Sequence, residues 1–252
     1  MSLPIFYDKH LDSIAQEWNL PEEESYHLVK VLRACKGELI EITNGKGLVR
    51  KAIFSHQHKK QAVVHLTETR HESLRLFYYL HIGVAPTKNI DRIEWFLEKA
   101  TEIGINQITF LKTEHSLRKD VPIDRLERIA VAAMKQSQQY HIPVIKGITP
   151  FSEFVSQQDS KVQKFICELC EQPVEMLCDA ANVQNPICVA IGPEGGFSKQ
   201  ELSHAQQHGF RLVSLTSSRL RTETAALYVV NAINALAHCA NLSRSKLGIP
   251  VN

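Results

Sequence analysis

The turn Gly192-Pro193-Glu194-Gly195-Gly196 follows the apolar run Pro186-Ile187-Cys188-Val189-Ala190-Ile191 and leads into Phe197-Ser198-Lys199-Gln200-Glu201. Glycines let a backbone approach a ligand closely, and a proline stiffens the turn between them. Ser198 and Glu201 have the Ser-x-x-Glu spacing of a capping box, so a helix is predicted to begin there. A turn at the C-terminal end of a strand and the entrance of a helix is where open α/β sheets bind ligands. The segment fits neither the Gly-x-x-x-x-Gly-Lys-Ser/Thr of a phosphate loop nor Gly-x-Gly-x-x-Gly, and Glu194 would repel a pyrophosphate. A nucleoside carrying a cationic sulfur suits it better. A plain tight turn remains the structural alternative for this segment taken alone.

A second strand-to-helix passage runs through Ser214-Leu215-Thr216-Ser217-Ser218-Arg219-Leu220-Arg221-Thr222-Glu223. Arg221 stands at a helix entrance, where the macrodipole disfavours a cation, so its presence there asks for a functional reason. An ion pair with a nearby carboxylate is the structural reading.

These turns need a sheet to hold them. Residues 76–84, 107–111, 164–169, 187–191 and 211–215 read as strands. Ile93, Phe96, Leu97, Ala100 and Ile103 recur at helical spacing before Gly104, a plausible C-cap. Strands alternating with helices imply a mostly parallel sheet covered on both faces. Upstream, residues 38–43, 48–54 and 62–66 read as short strands, with Asn44-Gly45 as a hairpin turn whose two residues take positive φ. Pro21 opens a short helix. The pattern predicts a small β domain over residues 1–72 and an α/β domain over residues 73–252.

The 252 residues, 44% hydrophobic and 22% charged, are ordinary for a folded soluble chain and argue against long disorder. The N-terminus lacks a signal-peptide pattern, and no apolar run is read as approaching the roughly 18 residues of a membrane span; a cytoplasmic location is expected. The six cysteines, Cys35, Cys167, Cys170, Cys178, Cys188 and Cys239, read as small hydrophobes. Cys167-x-x-Cys170 lacks two further ligands at suitable spacing, so no metal is expected. Net charge is only +2, but residues 27–60 carry eight Lys or Arg against two Glu. That basic stripe is either a footprint for RNA phosphates or a solvated β surface.

Taken together, Ile191-Gly192-Pro193-Glu194-Gly195-Gly196 and Leu220-Arg221-Thr222-Glu223-Thr224-Ala225 resemble the RsmE family of 16S rRNA uridine-N3 methyltransferases, in the SPOUT superfamily. His27-Leu28-Val29-Lys30-Val31-Leu32-Arg33, Asn44-Gly45-Lys46-Gly47 and the set Lys88, Arg92, Glu94, Lys99, Glu102 are similar to the family pattern in the same order. The resemblance implies a trefoil-knotted α/β methyltransferase domain preceded by a small PUA-like β-barrel. It implies S-adenosylmethionine held by Leu169, Gly192, Pro193, Glu194, Gly195, Gly196, Leu215, Thr216 and Leu220. It further implies a homodimer and, as substrate, a uridine of 16S rRNA in the small ribosomal subunit.

For the chemistry, Arg221 is the candidate to stabilise a uridinate, with Glu223 holding its guanidinium, and Lys30, Arg33, Lys36 and Lys88 are the candidate RNA contacts. The chain departs from the family pattern at Lys135-Gln136, Gln138-Gln139-Tyr140, His115, Thr216 and Leu3-Pro4-Ile5-Phe6-Tyr7. Two other classes stay open: a non-catalytic RNA-binding or ribosome-assembly protein, and a nucleotide-dependent enzyme on an ordinary doubly wound sheet.

Overall fold

In the computed structural model, residues 3–74, 76–168 and 174–246 are described, with side chains through residue 242. The chain divides into two units, Met1–Arg75 with Val131–Ile142, and Leu76–Ala130 with Pro143–Asn252.

The first unit contains β1 (Ile5–Tyr7), β2 (Glu17–Asn19), α1 (Glu22–Tyr26), a π turn over His27–Val31, β3 (Leu39–Thr43), β4 (Leu48–His58) and β5 (Gln61–His71). They form one sheet in the order β1-β3-β4-β5-β2, parallel only between β1 and β3. Alternation of apolar residues fixes which face is buried: Ile40 and Ile42, Ala52 and Phe54, and Val64 and Leu66 meet Phe6, Leu20 and Leu28 in one core. The β3–β4 hairpin lies where Asn44-Gly45 predicted it, but the turn is wider. Gly45 and Gly47 take the positive φ, at 70° and 89°, while the Asn44 side chain accepts from the amides of Lys46 and Leu48 at 2.9 and 3.3 Å. Asparagine thus closes the loop by an Asx turn rather than by left-handed backbone.

The second unit alternates β6 (Leu80–Val84), α2 (Ile90–Ile103), β7 (Gln107–Lys112), α3 (Ile123–Gln136), β8 (Val144–Pro150), α4 (Phe151–Ser156), β9 (Gln163–Cys167), α5 (Leu177–Ala180), β10 (Ile187–Ile191), α6 (Lys199–Gln207), β11 (Arg211–Val213) and α7 (Thr222–Lys246). The end of α3, from Val131, clusters with the first unit. The six strands are all parallel, ordered β11-β9-β10-β6-β7-β8. Covered on both faces, β6 and β10 are buried along their whole length without alternation, and β10 is apolar throughout. One face is covered by Ile93, Phe96, Leu97 and Ala100 of α2 with Ala226, Val229, Val230 and Ile233 of α7, the other by Phe154 of α4 and Ala205 of α6.

Two sequence expectations shift. The run from Leu76 becomes a strand only at Leu80, because Tyr78 turns inward and its hydroxyl donates to the Gly104 carbonyl at 2.7 Å. Residues Thr222–Leu242 of α7 have the length and apolar content of a membrane span, which the sequence reading passed over. One face of it, with Ala226, Val229, Val230 and Ile233, is buried in the core, and the helix packs on α2, β6 and β10.

Candidate functional site

The C-terminal ends of β9, β10 and β11 deliver three stretches to one place. Residues 167–168, 191–196 and 214–225 contribute the lining of a cavity of about 410 Å³. After β10, Gly196 turns the chain with φ 72°, and a Cβ there would lie 3.4 Å from both carboxylate oxygens of Glu168. Ser198 then caps α6 by the capping box read from sequence, its hydroxyl accepting from the Glu201 amide at 3.3 Å and Glu201 accepting from the Ser198 amide at 2.9 Å. The buried Thr222 hydroxyl donates to the Gly192 carbonyl at 3.0 Å, which ties the start of α7 to the glycine turn. Arg219 reaches the Glu194 carbonyl at 3.4 Å across the opening. Between them the loop after β11 is laced by its own hydroxyls: Thr216 Oγ1 donates to the Ser218 carbonyl at 2.8 Å and Ser214 Oγ to that of Thr216 at 3.3 Å.

The lining is mixed in a useful way. Ile191, Leu215, Leu220 and Ala225 offer apolar wall, Glu168 and Glu194 offer carboxylates, and Arg221 offers a guanidinium. Arg221 is exposed and forms no ion pair among the described residues. Burial, and then the charge of Glu168, push the Cys167 thiol up, away from the thiolate form in which a cysteine acts as a nucleophile. Among the described residues, no group of three or more His, Cys, Asp or Glu is gathered as a metal site.

Of the residues named from sequence, Gly192, Pro193, Glu194, Gly196, Leu215, Thr216, Leu220 and Arg221 line this cavity. Leu169 lies outside the described residues, as does Cys170. Gly195 is not in the lining; a Cβ on it would meet the His115 side chain at 3.1 Å. Glu223 departs from its expected role. It is buried, and its Oε1 pairs with Nε of Arg92 on α2 at 3.6 Å rather than with Arg221. The physical reason is helical geometry: side chains at i and i+2 of a helix entrance point to different faces, and the Glu223 face is the one packed on α2. Its Oε2 is buried without a hydrogen-bond partner among the described residues.

Glu168, Arg219, Thr222 and Arg92 were not assigned to the site or its support from sequence. Glu168 carried a signal, since it directly follows the strand that points at the glycine turn. Arg219, Thr222 and Arg92 fall within segments read from the sequence, but their partners, the Glu194 and Gly192 carbonyls and the Glu223 carboxylate, are reached only through space.

In the first unit Lys30, Arg33 and Lys36 are all exposed on and after the π turn, with Arg33 just beyond it at φ 54°. Tyr26, Val31 and Leu32 are exposed beside them. The stripe is narrower than its composition promised. Arg50 is buried and donates to the carbonyls of Asp12 and Ala15 at 3.1 and 2.9 Å, and Lys51 pairs with Glu68 at 2.7 Å. The positions that depart from the family pattern also carry structure. Lys135 binds both oxygens of Glu24 at 2.7 and 2.8 Å, and the Tyr140 hydroxyl donates to Glu41 at 2.5 Å while accepting from Arg70 at 2.9 Å. Lys88 lies on the loop before α2, its carbonyl accepting from Arg118 at 2.9 Å.

Comparison with known proteins now decides the family. The model of an RNA methyltransferase domain matches residues 75–234, and that of an RNA methyltransferase PUA domain matches residues 20–67. The chain belongs to the RsmE family of ribosomal RNA small subunit methyltransferases. A probable rRNA-methyltransferase from Porphyromonas gingivalis is 35% identical, with a TM-score of 0.89 over 94% of this chain and 100% of that one. The ribosomal RNA small subunit methyltransferase E of Neisseria gonorrhoeae, solved bound to S-adenosyl methionine, is 27% identical with a TM-score of 0.82 over 93% and 98%. The enzyme of that name from Buchnera aphidicola is 26% identical over 92% of both chains. The second unit is thus the SPOUT-type α/β domain of this family, and the first is its PUA-like domain.

Proposed function

We propose that this chain transfers the methyl group of S-adenosylmethionine to N3 of one uridine of 16S rRNA in the small ribosomal subunit, acting as a cytoplasmic homodimer. The observation that carries the reading is the cavity at the strand ends, which brings glycines and the acidic residues Glu168 and Glu194 together with the exposed Arg221. A volume of about 410 Å³ suits a nucleoside-sized ligand. Ile191, Leu215, Leu220 and Ala225 suit an adenine, and the Glu168 carboxylate beside Gly196 suits a cation. Bound there, S-adenosylmethionine would supply an electrophilic methyl on a positively charged sulfur.

Uridine N3 carries a proton and becomes nucleophilic as that proton leaves. Arg221 is the group that would stabilise the negative charge developing on the neighbouring carbonyl oxygens. Glu223 and Arg92 act from behind, fixing the start of α7 and hence Arg221. Lys30, Arg33, Lys36 and Lys88 hold RNA phosphates. The names of the relatives from Neisseria and Buchnera support an rRNA substrate, and the bound ligand of the former supports the methyl donor.

The test is mass spectrometry of small-subunit rRNA from cells lacking the protein, with the purified protein added back. Loss of one N3-methyluridine, restored on addition, is expected. An unchanged modification profile would sink the reading, and calorimetry showing no binding of S-adenosylmethionine would turn it toward a non-catalytic RNA-binding role.

A further inference from the structure

Resting on that methyltransferase reading, we propose that Leu117 is a positioning residue that enters the RNA stack and fills the place vacated by the target base. Leu117 is 67% exposed, on the loop between β7 and α3. A leucine on a slack loop would fold back and bury itself, but this loop is pinned on both sides. The Glu114 amide donates to Glu201 at 2.9 Å, His115 Nδ1 lies 3.1 Å from the Gly196 carbonyl, and Ser116 Oγ accepts from the Thr113 amide at 2.9 Å. On the far side Arg118 donates to the carbonyls of Thr87 and Lys88 at 3.2 and 2.9 Å. Leu117 is therefore held out into solvent by a loop that also buttresses the glycine wall of the cavity.

Its neighbours indicate the occupant. Lys88, Arg118 and Lys119 line one shallow depression with Leu117, against a single acid, Asp120, whose Oδ1 is engaged by the Val121 amide at 2.8 Å. Three cations around one apolar side chain match a phosphate backbone around unstacked bases. Such a side chain suits the reaction: a base drawn out of its stack to reach the methyl donor leaves a gap, and an apolar wedge that enters it offsets the lost stacking. A second copy of this chain would find little apolar area and excess positive charge at the same place.

The wild-type protein, Leu117→Ala and Leu117→Phe would be compared for methyl transfer to small ribosomal subunits from cells lacking the protein. S-adenosylmethionine affinity and oligomeric state would be measured on each. The expected result is a loss of roughly tenfold in kcat/KM for Leu117→Ala, recovery to within about threefold for Leu117→Phe, and unchanged cofactor affinity and oligomeric state. Wild-type activity in Leu117→Ala, or a change in its oligomeric state or cofactor affinity, overturns the wedge while leaving the methyltransferase reading intact. No transfer by the wild-type protein overturns both.

Discussion

Arg221 and His81 show two ways in which a single residue can be read. Arg221 is informative because it is badly placed for stability: a cation at the N-terminal end of a helix, exposed, with no carboxylate partner among the described residues. Replacing it by alanine should leave folding and S-adenosylmethionine binding nearly unchanged while lowering methyl transfer by roughly a hundredfold or more, the scale of losing one fixed charge from a transition state. Single-turnover transfer beside calorimetry separates the two effects, and near-normal turnover would remove Arg221 from the chemistry. His81 is the opposite case, a histidine with no place in the reaction. It is buried on β6, 2.8 Å from the Thr109 hydroxyl, and its ring meets Phe154 edge-on with centroids 5.2 Å apart. Burial, followed by the charge of Lys146, pushes its pKa down from 6.5 to about 4. The unfolded chain therefore binds a proton that the folded chain refuses between those values. The histidine's contribution is fully present above pH 6.5 and is lost as pH falls toward 4, to the extent of about 3 kcal/mol. His81→Gln should flatten that part of a stability curve measured by urea denaturation from pH 7.5 to 4.5; an unchanged slope would place the acid sensitivity elsewhere.

At the scale of elements, the glycine turn and the segment after α3 show what sequence patterns carry and what they miss. Strand, turn and capping box were legible because each is a local arrangement: an apolar run, a glycine cluster and a Ser-x-x-Glu spacing. The short strands β1, β2 and β8 were not, because three-residue pieces and the half-exposed β8 owe their pairing to partners far along the chain. Gly196 is a strong prediction at this scale. Alanine there adds a Cβ in a left-handed conformation and 3.4 Å from the Glu168 oxygens. Where the free turn relaxes to escape that cost of about 1 to 2 kcal/mol and must re-form around the ligand, S-adenosylmethionine binding should weaken by roughly tenfold, as calorimetry would record. Wild-type affinity in Gly196→Ala would mean that the turn is not a ligand wall.

The stretch over residues 137–142 is held to the β3–β4 loop by backbone bonds from Gly47 to Tyr140 and from Ile142 to Gly45, both 3.0 Å long. Burial pushes the Glu41 carboxyl up, yet the bonds from Arg70 and Tyr140 outweigh it and hold the group below its usual value. Burial and Glu41 together push the Tyr140 phenol up to about 12, so it donates throughout the physiological range. Tyr140→Phe removes that donor from a carboxylate with little access to water, at a cost of about 1 to 2 kcal/mol in stability by thermal or urea unfolding, without touching the cavity. A departure from the family pattern thus marks a structural exchange here, which sequence comparison alone could not tell from a lost substrate contact.

For the whole molecule, the net charge of +2 hides a separation of roles that decides how binding should respond to salt. Counting Lys and Arg along residues 27–60 overstated the RNA footprint, since Arg50 is buried on backbone carbonyls and Lys51 is spent on Glu68. Side-chain burial is a tertiary outcome, and no composition window contains it. Lys30, Arg33 and Lys36 remain, exposed and close in sequence on and after the π turn. If each neutralises about one phosphate, their joint replacement by glutamine should weaken binding to small ribosomal subunits most at low salt and reduce the slope of log affinity against log salt by roughly two to three. If S-adenosylmethionine binds in the second unit as proposed, it should bind the same variant with wild-type affinity and little dependence on salt. The comparison uses one protein and two ligands, so a loss confined to the subunit titration assigns the π turn to RNA. A subunit slope left unchanged would move the phosphate contacts to Lys88, Arg118 and Lys119.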